Sequence, residues 1–127
     1  MLFCPVRDWS SVGAEEKKKY YTTLFIYSLY PANRGQVKVL VPGAGLGRLA
    51  FDIAMEGFKC QGSEFILYMM FASNLILYKC QAVDCNKIQP YIHQFVTNLS
   101  SRDQLRQTSF PDLDPNTLPG DAKKVSG

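Results

Sequence analysis

Residues 37 to 64 constrain this chain more than any other stretch. They begin Val37-Lys-Val-Leu-Val-Pro-Gly43-Ala44-Gly45-Leu-Gly47-Arg48 and close on Cys60-Gln-Gly-Ser-Glu64. An apolar β-branched run leads into a glycine loop, the loop opens a short amphipathic segment, and a second short run ends on an acid. That order predicts strand, tight turn, helix, strand and carboxylate, the first half of a nucleotide-type cofactor site. Strands are expected over 37–41 and 58–62, joined by a right-handed parallel crossover, with Gly57 as a left-handed cap on the helix between them. A near-continuous apolar run at 37–41 further suggests a strand covered on both faces.

The chemistry follows from the residue types. Glycines at 43, 45 and 47 let the backbone come close to a ligand where a Cβ would collide. The helix that starts there aims its free amides and positive dipole end into the same space. Glu64 stands seventeen residues after Gly47, at the end of the second strand. A carboxylate there can accept hydrogen bonds from vicinal ribose hydroxyls. The bland alternative is a plain strand–helix turn beside a surface glutamate. The loop alone does not choose between an S-adenosylmethionine site and a dinucleotide site, because Gly45-Leu-Gly47-Arg-Leu-Ala50 also fits the dinucleotide pattern.

Elsewhere the text is plainer. A helix is expected over 11–30, with Glu15 and Glu16 in its first turn and an apolar stripe of Tyr21, Leu24, Phe25 and Leu29, stopped by Pro31. Residues 65–80 predict a buried helix. Phe65 to Tyr78 is fourteen residues without a charge, too short for a membrane span. Asn74 within it needs a partner, either in the cleft or on a neighbouring helix. Ser101 is a candidate cap for a short turn through Leu105. From 110 to 127 the prolines at 111, 115 and 119 argue for a flexible tail.

Composition excludes several classes. The 127 residues suit at most one domain, and a net charge of +3 without a basic stripe gives no case for nucleic acid. The four cysteines, Cys4, Cys60, Cys80 and Cys85, lack paired metal-site spacing and read as reduced thiols, with no metal expected. No secretory signal is evident, which places the protein in the cytoplasm, with the nucleus also open to it. His93, the single histidine, is expected to pack or cap. Asp112 and Asp114 could bind a cation or a substrate amine, but between prolines they are expected rather to form turns.

Around these motifs the chain resembles the carnosine N-methyltransferase family. The resemblance is carried by Val41 to Ala50 and Cys60 to Glu64. It extends to Val6-Arg-Asp-Trp-Ser10, Ile92-His-Gln-Phe95 and Phe110-Pro-Asp-Leu-Asp-Pro115 in the same order. It implies an α/β, Rossmann-like class I methyltransferase fold with S-adenosylmethionine as donor. It further implies methylation of the imidazole ring of carnosine to give anserine. By position, Gly43, Ala44, Gly45, Gly47 and Arg48 would cradle the donor and Glu64 would hold its ribose. The wider class carries an acid two residues before the first glycine, where this chain has Val41.

The resemblance also implies a longer protein, so this chain is expected to be the N-terminal portion of the fold, a truncated form lacking the substrate-positioning side. Catalytic residues are therefore unassigned. Methyl transfer to a neutral imidazole nitrogen needs alignment and exclusion of water more than a strong base. Two alternatives stay open: half of an NAD(P)-dependent oxidoreductase, and a non-catalytic truncated product that would expose a sheet edge and the 66–78 helix.

Overall fold

The computed structural model describes residues 3–21, 32–93 and 100–117. Helix α1 spans Phe3–Trp9, with Pro5 tolerated in its first turn, and a 3-10 turn at Ser11–Gly13 leads into α2, Ala14–Tyr21. The single helix expected over 11–30 is thus broken at its start into a 3-10 turn and α2. Its stripe residues Leu24, Phe25 and Leu29 lie outside the described residues. Gly13 explains the close turn, since a Cβ there would sit 2.2 Å from the Arg7 carbonyl oxygen.

Strand β1 is Lys38–Pro42, helix α3 is Arg48–Met55 and strand β2 is Lys59–Ser63. Both strands lie one residue later than the sequence pattern suggests. β1 and β2 pair in parallel, Lys38 opposite Lys59 through Pro42 opposite Ser63. Gly57, at φ +93°, donates its N–H to Ala54 O at 3.0 Å and ends α3 as expected. β1 is not covered on both faces: Val41 is buried, whereas Leu40 is 62% exposed. The apolar run therefore packs on one face only.

α3 supplies the centre of the core. Ala50, Phe51, Ile53 and Ala54 are buried with Trp9, Leu46, Phe58 and Cys60. Trp9 and Phe51 meet at 5.4 Å between ring centroids, tilted by 60°. Large apolar side chains buried in this way contribute roughly 1.5–3 kcal/mol each.

The segment expected as a buried helix is helical but not buried. α4, Leu67–Asn74, continues as a π turn over Leu75–Lys79, and across both only Ile76 is buried. Phe65 is 98% exposed and Phe71 65% exposed. One side of this helix lies over the glycine loop, and Leu67, Tyr68 and Phe71 on its outer side are exposed.

Two short strands were not legible at all. β3, Asn86–Ile88, pairs antiparallel with β4, Thr108–Phe110. Between them α5, Ser101–Gln104, has Ser100 rather than Ser101 at its cap, and the Asp103 carboxylate accepts the Ser100 N–H at 3.1 Å. Of the tail expected over 110–127, residues 110–117 pack against the rest of the chain, and 118–127 lie outside the described residues. The Phe110–Pro111 peptide is cis, Pro111 is buried, and Pro115–Thr117 forms a 3-10 turn. The result is a mixed helix-and-strand fold with a parallel pair at its centre. Among the described residues, no helix is long and apolar enough to cross a membrane.

Candidate functional site

The glycine loop joins β1 to α3 with three left-handed residues, Gly43 at φ +63°, Gly45 at +56° and Gly47 at +79°. Ala44 between them donates its N–H to Ser63 O at 2.9 Å, which fastens the loop to the end of β2. Gly47 N–H donates to Ala44 O, also at 2.9 Å. A Cβ on Gly43 or Gly45 would meet nothing within 4 Å, so the loop presents bare backbone to open space. At Gly47 the opposite holds, because a Cβ would lie 3.0 Å from Leu77 Cδ1.

Glu64 completes this wall. Its Oε2 accepts the Gly45 N–H at 2.7 Å and its Oε1 accepts the Ile66 N–H at 2.9 Å. These backbone bonds, from Ile66 first and then Gly45, hold the carboxyl below the usual glutamate range and outweigh the small upward push of desolvation. A charged carboxylate has about four acceptor sites, so these backbone donors leave it further acceptor capacity.

A cleft opens over this loop. Its floor is Ala44, Gly45, Gly47, Gly62 and Glu64, and its far side is Met70, Ser73, Asn74, Leu77 and Tyr78 of α4 and the π turn. Asn74 thus faces the cleft, one of the two roles its sequence position left open. Burial raises the Tyr78 phenol. The cleft pairs a polar backbone floor with a largely apolar roof, the composition of a small-molecule site.

Arg48 does not join the cleft. Its guanidinium is buried on the opposite side of α3, 4.9 Å from the centre of the Trp9 ring. There it pairs with Asp52 at 3.0 Å and with Asp112, and it donates to Asp8 O at 3.2 Å. Lys17 reaches the other Asp112 oxygen at 2.7 Å. Asp112 also donates its backbone N–H to Trp9 O at 2.7 Å. Burial pushes the Asp112 carboxyl up, but the bonds and charges of Lys17 and Arg48 outweigh it and hold the group below its ordinary value. At Asp52 burial prevails over Arg48, and the carboxyl is raised.

This cluster braces the glycine loop from behind. The Trp9 indole donates to Leu46 O at 3.0 Å, a buried bond that spans thirty-seven residues of chain. The proline spacing predicts a turn at Asp112, and no local pattern marks Trp9 or Lys17 as its neighbours. The i, i+4 spacing of Arg48 and Asp52 was the one local signal. Asp114 does behave as a turn former, its Oδ1 accepting the Asn116 N–H at 2.9 Å. His93 is exposed and neither packed nor in the cleft. Among the described residues, no group of three or more His, Cys, Asp or Glu side chains is placed to hold a metal ion.

Comparison with known proteins agrees with the motif pattern. The family model described as carnosine N-methyltransferase matches residues 2–126. The rat carnosine N-methyltransferase is 48% identical over 119 residues, covering 90% of this chain and 30% of the relative. The mouse protein is 45% identical over 119 residues, with the same coverage. The protein of the same name from Schizosaccharomyces pombe is 43% identical over 115 residues, 87% of this chain and 31% of the relative. The chain thus spans about 30% of the length of the curated relatives it matches. With the glycine loop, the closing acid and the bracing tryptophan all inside the matched region, the chain belongs to the carnosine N-methyltransferase family.

Proposed function

We propose that this chain is the donor-binding portion of an S-adenosylmethionine-dependent N-methyltransferase, one that methylates the imidazole ring of carnosine or related histidine dipeptides to give anserine-type products. The β1–α3–β2 unit would be the first half of a Rossmann-like sheet. The observation that carries the reading is the Glu64 carboxylate, set across the cleft floor from a glycine loop whose backbone is open to a ligand.

The residues fit such a donor. Gly43 and Gly45 offer backbone without side-chain obstruction, Ala44 and Gly47 line the cleft beside them, and Glu64 keeps acceptor capacity for vicinal hydroxyls of a ribose. Met70, Leu77 and Tyr78 give the apolar side. Arg48 acts from behind, by fixing the first turn of α3 through Asp52 and Asp112. When bound, the sulfonium donor supplies an electrophilic methyl group. The task of this chain is to hold the donor in one orientation and keep water from its polar face. Carnosine's imidazole nitrogen needs no strong base, since its lone pair is free near neutral pH.

The test is calorimetric titration of the chain with S-adenosylhomocysteine and, separately, with NAD. Binding of the first alone supports the reading. Binding of NAD alone would replace it with the oxidoreductase alternative. Mass spectrometric detection of methylated carnosine then separates an active chain from a donor cradle that does not turn over.

A further inference from the structure

Two thiols meet where the π turn ends. Cys80 is buried and Cys85 is exposed. The Asn86 amide nitrogen donates to both sulfurs, at 2.9 Å to Cys80 Sγ and 3.1 Å to Cys85 Sγ. Sharing one amide nitrogen sets the two thiols side by side. Asp84, left-handed at φ +55° with its N–H held by Pro111 O at 2.8 Å, turns the chain back so that residue 85 returns to residue 80.

Cys80 is tied to the cleft through its backbone. Its N–H donates to Leu75 O at 3.1 Å, closing the π turn, and its C=O accepts the Asn116 amide at 3.1 Å. Leu77 and Tyr78, inside that turn, line the cleft. A change at the Cys80 sulfur is therefore two residues from the cleft's apolar side.

We propose that Cys80 and Cys85 form an oxidisable dithiol, a modification site at which a small disulfide such as oxidised glutathione converts the pair to an intramolecular disulfide and so loosens the π turn. The exposed Cys85 thiolate attacks one sulfur of the small disulfide, forming a mixed disulfide and releasing one small thiol. Cys80 then gives its proton to solvent and attacks the Cys85 sulfur, forming the Cys80–Cys85 bond and expelling the second small thiol. Two protein thiols are oxidised and one small disulfide is reduced to two thiols. Burial, with the neighbouring Cys85, pushes the Cys80 thiol up to about 11, which assigns the first attack to Cys85. A disulfide holds its sulfurs about 2.0 Å apart, so its formation draws the buried Cys80 side chain toward Cys85 and pulls on the end of the π turn. Any consequence for donor binding rests on the proposed function, but the dithiol does not.

The experiment treats the full chain with oxidised glutathione and reads it without any donor. Trypsin, cutting after Lys79 and Lys87, releases both cysteines in one peptide, 80–87. That peptide should become lighter by two hydrogens and recover with dithiothreitol. Cys80→Ser should instead trap a mixed disulfide on Cys85, and Cys85→Ser should leave Cys80 reduced. Hydrogen exchange at the Cys80 amide should speed up roughly tenfold on oxidation, as its local hydrogen bond opens more often. A wild-type chain that stops at the mixed disulfide, or that links Cys85 to Cys4 or Cys60, overturns the dithiol. A Cys80–Cys85 bond with unchanged amide exchange overturns its reach into the cleft.

Discussion

Glu64 and Gly45 are joined across the cleft floor by a 2.7 Å hydrogen bond from loop amide to carboxylate. The acid that ends β2 therefore holds the glycine loop that follows β1, before any ligand arrives. The same carboxylate is the proposed ribose acceptor, so loop shape and ligand recognition depend on one side chain.

Replacing Glu64 by Ala removes both roles at once. Affinity for S-adenosylhomocysteine should fall roughly tenfold or more, the usual scale for charge-assisted hydrogen bonds. Calorimetry on the variant checks this, and unchanged affinity would remove Glu64 from the site. The carboxyl is held below its ordinary 4.5 in the folded chain. Its contribution is thus fully present above the ordinary value and is lost as pH falls through the lower folded value. The Gly45 amide resonance should follow that titration.

Gly45 and Gly47 should respond differently to Ala. Each is left-handed, so the substitution strains the backbone by about 1 kcal/mol or more. At Gly47 the new methyl also meets Leu77 at 3.0 Å, and loss of folding stability should dominate. At Gly45 the methyl enters open space on the cleft floor, and loss of ligand affinity should exceed loss of stability. Paired denaturation and binding measurements separate the two.

Asp112→Ala should destabilise the chain by about 2–4 kcal/mol, somewhat below the range for breaking a fully buried ion pair because Asp112 is partly exposed. Lys17 and Arg48, both nearly buried, would lose a shared counter-ion. Asp112 has a depressed folded value, so its contribution is present above the ordinary 3.8 and lost as pH falls through the folded one. Urea denaturation at neutral and acid pH should show the variant's deficit shrinking on acidification.

Trp9→Phe keeps a ring in the core but leaves the buried Leu46 carbonyl without its donor. The expected cost is about 1–3 kcal/mol, read by circular dichroism because Trp9 is the single tryptophan. Ligand affinity should fall as well, since Leu46 lies inside the loop.

The outer face of α4 predicts self-association. Phe65, Leu67, Tyr68 and Phe71 are all exposed on adjoining turns, an apolar surface of the kind that seeks a partner. Sedimentation should show concentration-dependent species, and Phe71→Lys should reduce them without lowering the melting temperature.

The local order of the β1–α3–β2 unit was legible in the residues, which determined it because glycine spacing, strand composition and the closing acid act within a few residues of one another. They determined the turn at Gly57 and the family for the same reason. Tertiary structure decided what depends on distant chain. Arg48 follows the glycine loop but turns to the buried side, because Asp52, Asp112 and the Trp9 face offer a desolvated cation what the cleft does not. Asp112 is a counter-ion rather than a turn former because Lys17, ninety-five residues away, folds onto it. β3 and β4 are too short to show a period and exist only by pairing with each other. The 65–80 helix could be read as helical but not as exposed, since apolar composition states a preference for burial and only neighbouring elements can satisfy it.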